Sequence, residues 1–380
     1  MTLDRPTLAR LREQAGQARQ AGHYAQAAHL ERQAVELAET LGLAGERVRA
    51  LLWQGYSLRQ TGEDDLALAA LLQAINEPTL TVDPADRFGA LIAILHISLE
   101  RKPVRFCRAL LEQGRRELAE ARQPWSAPLD FLEGELAYRQ GEFAAAWHWH
   151  ERAWAGRRDA HPRLTPATHL WALCRTAFRR REPAEVERLA HHLQELRPNA
   201  ALERPLVLRA RWLAWRAQGV AADPTPVEQA RAFLTRAAAE REPRDFGARI
   251  EALRVLALAG DWDPITADLR QKPLHPDAFE TALGLGDLAL GRARAALGLP
   301  AVDDDYGEPA VDALPVAPNS DRVAAVLDEA EQDYREAARF AEEQDQRLQT
   351  RWYGDTVRER QARLNRLHSL ADSRESENPS

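Results

Sequence analysis

The chain has 380 residues, a 45% hydrophobic content and a formal net charge of −7, more than one ordinary core supports and too acidic for a dedicated nucleic-acid protein. No run of about 18 apolar residues occurs, so no membrane-spanning helix is expected. The two cysteines, Cys107 and Cys174, fit no metal-ligand spacing, which points to buried, reduced thiols in a cytoplasmic protein.

From the N-terminus, MTLDRPTLARLREQAG lacks a basic segment followed by an apolar stretch, so no signal peptide is expected. Helix formers dominate the chain, and apolar residues recur at spacings of three and four, which predicts an all-α fold. Three stretches superpose: 15–34, 55–74 and 134–153. Each opens on a small residue (Ala15, Gly55, Gly134) and places a glycine seven residues on (Gly22, Gly62, Gly141). Alanine follows at two further rungs, Ala27, Ala67 and Ala146, then Ala34, Ala74 and Ala153. Small residues let two helices of a hairpin approach closely, and glycine ends the first helix in a left-handed turn.

On these residues the chain resembles the tetratricopeptide repeat family. The resemblance implies a right-handed superhelical solenoid of antiparallel helix hairpins that binds a protein partner on its concave face. A repeat spacing of about 40 exceeds the family's usual 34 or so and resembles the helical sensor repeats of large bacterial signalling regulators.

The repeat also explains FAAAWHWHERAW (143–154). His148 and His150 are two residues apart, about 200° around a helix, so they cannot share a metal. His150 takes a large packing position, and Trp147 and Trp154 read as core. Weaker hairpins follow the same plan: 86–121 with Pro103 opening its second helix, 166–197 with Pro183 in that role, 203–240, 245–271 turning at AGDW, and a further first helix at 277–297. The array therefore spans 1–299, about seven or eight hairpins. Residues 300–320 hold four prolines and five acids and read as an acidic linker or loop. Residues 321–370 read as two helices covering the end of the stack, with Trp352, Val357, Leu364 and Leu367 on an apolar side, and 371–380 as a disordered tail.

No phosphate-cradling loop, HExxH or nucleophile elbow is present, and nothing implies a cofactor or metal, so an enzyme is not expected. Candidate binding residues are those that first helices turn to the concave face: Tyr56 and Arg59; Glu135, Tyr138 and Arg139; Arg175 and Arg179; Arg211; Arg254. Arg175, Arg211 and Arg254 share one register position. A stack of forked guanidinium donors suits carboxylates, and residues 157–216 hold 13 Arg against six acids. The expected function is thus a scaffold or adaptor for an acidic or carboxylate-bearing peptide. The alternative is a single-stranded nucleic-acid-binding repeat protein, against which the net acidity counts. The acidic segment 303–308 is a candidate tethered occupant of the groove, set against a plain solvated loop.

Overall fold

The computed structural model describes residues 5–77, 84–121, 126–157, 165–196, 204–218, 224–239, 246–260, 278–300, 302 and 320–377. These residues form sixteen α-helices and no strand, so the protein is all-α, as the periodicity predicts. In chain order they are α1 (Arg5–Gln20), α2 (Tyr24–Thr40), α3 (Ala44–Gln60), α4 (Asp64–Ile75), α5 (Pro84–Arg101), α6 (Val104–Ala121), α7 (Ser126–Arg139) and α8 (Phe143–Ala155). There follow α9 (Pro166–Arg179), α10 (Pro183–Glu195), α11 (Arg204–Ala217), α12 (Thr225–Ala239), α13 (Phe246–Leu258), α14 (Ala278–Ala296), α15 (Ser320–Leu348) and α16 (Trp352–Glu377). The second helix expected within 245–271 and the acidic segment 303–308 lie outside the described residues.

The repeated small residues do the work their spacing implies. Ala15, Ala27, Ala34, Ala67, Ala74, Ala146 and Ala153 are all sealed from solvent. A side chain on Gly55 would run into Leu71 of α4, and one on Gly134 into His150 of α8. Gly22, Gly62 and Gly141 have φ of 79, 80 and 77°, the left-handed region. At each, the following N–H reaches back five residues: His23 N to Ala18 O at 2.8 Å, Glu63 N to Leu58 O at 3.0 Å, Glu142 N to Ala137 O at 2.9 Å. This closure satisfies carbonyls that a helix end otherwise leaves bare. Gly42 (φ 64°) repeats it between α2 and α3. Between α9 and α10 the same geometry falls on Arg181, with φ 61° and Glu182 N to Ala177 O at 3.1 Å. Pro183 does open α10, whereas α6 begins at Val104, one residue after Pro103, whose carbonyl accepts from Phe106 and Cys107. Proline before the first helical residue keeps its missing N–H off the ladder.

The chain divides into two compact units: residues 1–173 with 192–207 and 242–244, and residues 174–191, 208–241 and 245–380. In the first unit each helix from α1 to α8 packs on the next, hairpin after hairpin. Val48, Leu51, Leu52, Leu71, Ile94 and Ile97 form one stretch of core, and Phe88, Leu91, Leu95, Leu111, Phe131 and Leu132 the next. Arg19 on α1 bonds Glu31 on α2 at 2.6 Å and lies 4.3 Å over the Trp53 ring of α3, joining successive hairpins.

In the second unit, α11, α12 and α13 share a core around Trp212, Trp215, Ala230 and Leu253. Farther along, α14, α15 and α16 close around Phe279, Leu290, Leu327, Tyr334, Val357, Leu364 and Leu367. Tyr334 lies against Gly286, where any side chain would clash, and donates to Asp287 at 2.8 Å. The buried Arg294 donates to Pro300 O at 3.0 Å and holds the end of α14. Asp345 accepts from Tyr353 N and Gly354 N at 3.1 and 2.8 Å, capping the start of α16. Helix α16 runs to Glu377, beyond the expected disordered start at 371. Its last residues, ADSRESE, contain neither glycine nor proline, so nothing stops the helix there.

Candidate partner-binding face

In the first unit the expected inner-face residues Tyr56, Arg59, Tyr138 and Arg139 are half-buried and Glu135 is buried. Tyr56 sits edge-on to Trp53, three residues earlier on the same helix, at 5.9 Å. Tyr138 sits edge-on to Phe143 at 5.4 Å, across the Gly141 turn. Arg139 approaches Glu135 at 3.6 Å, and the buried Glu135 also faces His150 Nε2 at 3.3 Å. Arg139 is thus drawn towards a carboxylate of its own helix rather than held out for an external one. Arg59 is half-buried near the end of α3.

Behind this face lies a polar cluster that the sequence does not announce. Phe131 is ringed by His96, His150 and His169, with centroids 5.9, 5.6 and 5.4 Å away. His169 is 1% exposed, and neither ring nitrogen has a hydrogen-bond partner among the described residues. Burial first, then the nearby His150 and Arg157 charges, bring its pKa down from 6.5 to about 4. It therefore stays neutral at pH 7. Asp130, facing Arg152 at 3.5 Å, has its pKa raised by burial, as does Glu31 despite Arg19. The tryptophans of this stretch are not core: Trp147, Trp149 and Trp154 are half-buried. Trp149 is flanked by Arg115 and Arg152, at 5.5 and 4.7 Å, and Arg157 covers Trp154 at 3.8 Å. Arg115 is paired with Glu133 at 3.1 Å, which offsets part of this positive charge.

A second surface is of mixed character, with Arg32, Glu36 and Glu63 beside apolar side chains. Helices α2, α3 and α4 enclose a groove of about 510 Å³ with Val35, Leu51, Leu58, Leu66 and Ala70 among its lining. Tyr56 and Arg59 do not line it; they lie on another side of α3.

The remaining arginines belong to the second unit. Arg175, Arg211 and Arg254 are half-buried on α9, α11 and α13, and Arg179 lies 5.6 Å over the Trp352 ring of α16. The residue that ties the three helices together is one that register reasoning misses, Arg216. It is 3% exposed, pairs with Glu251 of α13, and lies 4.7 Å over the Phe178 ring of α9. Glu251 and Arg254 are three apart on one face of α13, and Phe178 and Arg175 three apart on one face of α9. Arg175 and Arg254 therefore stand on the faces that meet at Arg216. Arg211 precedes Arg216 by five residues, about 140° around α11. Cys174, beside Arg175, is buried with its Sγ 3.8 Å from Val186 O, and burial pushes its thiol pKa up, away from reactivity. Cys107 is likewise a buried free thiol.

No family model and no curated protein matches this chain. Among the described residues no helix is long and apolar enough to cross a membrane.

Proposed function

We propose that the protein is a tetratricopeptide-like interaction scaffold whose arginine-bearing first helices grip an acidic or carboxylate-terminated peptide. The observation that carries this reading is the set α9, α11 and α13. Three neighbouring helices present half-buried arginines and are pinned together by Arg216. Partial burial favours charge recognition, because a guanidinium beside apolar surface loses less to solvent screening than one in open water. The repeated small-residue ladder supports the family assignment, and the superhelix would be right-handed. The buried, unreactive thiols fit a reducing cytoplasm, and the longer repeat spacing fits bacterial signalling or regulation.

Capture of binding proteins from a lysate, followed by titration of the captured partner against salt, tests this reading. A short peptide carboxylate contact gives a shallow loss of affinity with salt. A single-stranded nucleic acid neutralised at many phosphates gives a steep one. Arg115, Arg152 and Trp149 place cations against an aromatic ring, a base-stacking arrangement. Yet Glu133 and Asp130 already face those two arginines, so the peptide reading stands ahead.

A further inference from the structure

We infer that Asp328, Glu331 and His368 form a binding site for one divalent transition-metal ion of the zinc class, which clamps α15 to α16. One ligand atom from each of the three lies within 4.8 Å of the other two. Asp328 and Glu331 are three residues apart on α15, hence on one face, one turn apart. His368 comes from α16. Two carboxylate oxygens and an imidazole nitrogen are the donor set that suits zinc, at about 2.0–2.2 Å per bond. Around such an ion the ligand atoms stand roughly 3.3 Å apart, so rotation about the side-chain bonds closes the triad.

The backbone holds the three in place. Asp328 follows the buried Leu327, Glu331 follows the buried Ala330, and His368 follows the buried Leu367, all three in one core. Helix register is therefore locked by apolar packing directly beside each ligand. A metal site on rigid elements loses little ordering entropy on binding. Asp328 is exposed, and Glu331 and His368 are half-buried, so an ion has an open approach and room for a water in its fourth position. One group competes: Arg335 pairs with Glu331 from one turn further along α15. The buried thiols Cys107 and Cys174 offer zinc no rival site.

The test is a titration of the untagged full-length chain with Zn²⁺, read by calorimetry and by thermal midpoint. The expected result is one saturable equivalent with a rise in midpoint. His368→Ala and Asp328→Asn should each weaken binding by about 10-fold or more. Arg335→Gln should tighten it, since it frees the Glu331 carboxylate; loss of a nearby cation favours any acidic patch, so the loss of binding in His368→Ala is what separates a ligated ion from diffuse attraction. All three positions are at the surface, and unchanged circular dichroism checks that the variants fold. Absence of saturable binding below millimolar Zn²⁺ overturns the site. So does stoichiometric binding that survives both His368→Ala and Asp328→Asn.

Discussion

Gly134 poses a question of sign. Glycine inside a helix costs about 1 kcal/mol relative to alanine, so Gly134→Ala should stabilise α7 on propensity alone. A Cβ there, however, would stand 2.2 Å from His150 Cδ2 and 2.4 Å from Nε2, inside a packed core. Overpacking of that kind costs about 1–3 kcal/mol, so the clash wins and the variant should melt lower. His150→Ala in the same chain should reduce the penalty of Gly134→Ala, and a double-mutant cycle reads the coupling. Arg181 gives the opposite sign. It holds φ 61° at the position that Gly22, Gly62 and Gly141 occupy in their turns. A left-handed conformation costs a non-glycine residue about 1–2 kcal/mol, so Arg181→Gly should raise the thermal midpoint.

His169 makes stability depend on pH. Unfolded, it takes a proton as pH falls through about 6.5. Folded, it stays neutral until about 4. Between those values the unfolded state binds more protons, so this residue's contribution falls as pH falls, by up to about 1.4 kcal/mol per pH unit. Glu31 and Asp130, whose pKa values are raised by burial, oppose that trend at the acid end. The difference between wild type and His169→Phe isolates the histidine. The variant should lose stability less steeply between pH 6.5 and 4 in urea denaturation, and identical slopes would show that His169 titrates freely.

Among elements, the helix hairpins were the most readable part of the sequence. Ala15, Gly22, Ala27 and Ala34 carry their meaning locally, because a small residue and a glycine turn need no distant partner to be interpreted. The connection at Arg181 was not readable as a left-handed turn, since arginine gives no sign of that backbone. The Arg216–Glu251 pair was not readable either. Its partners are 35 residues apart and lie on helices whose juxtaposition only the fold supplies. The half-buried Trp147, Trp149 and Trp154 look like core in a list of apolar residues, yet arginines cover two of them. Arg216→Met should leave Glu251 without its charge partner in a site where it is 13% exposed, and cost about 3 kcal/mol or more. Pairing it with Glu251→Met removes the stranded charge and should recover most of that loss. Hydrogen exchange over α9, α11 and α13 should rise in the single variant and return towards wild type in the double.

At the scale of the whole molecule, the fold is a succession of helix hairpins with two arginine-bearing regions of different character. Arg139 is drawn to Glu135, and Arg179 lies over Trp352, so both serve contacts within their own unit. Arg175 and Arg254 stand on helix faces that meet at Arg216, and they carry the functional reading. The direct measurement is the affinity of a fluorescein-labelled hexaglutamate peptide with a free C-terminus for the wild-type chain and for the Arg175→Gln, Arg211→Gln, Arg254→Gln triple variant. A twelve-residue oligouridine serves as comparison, at about 50 and 200 mM salt. The scaffold reading requires that the wild type bind the peptide, that the triple variant weaken it by at least about 10-fold, or about 1.4 kcal/mol, and that salt erode it only shallowly. Peptide affinity unchanged in the triple variant, or tighter and steeply salt-dependent binding of the oligouridine, would contradict it.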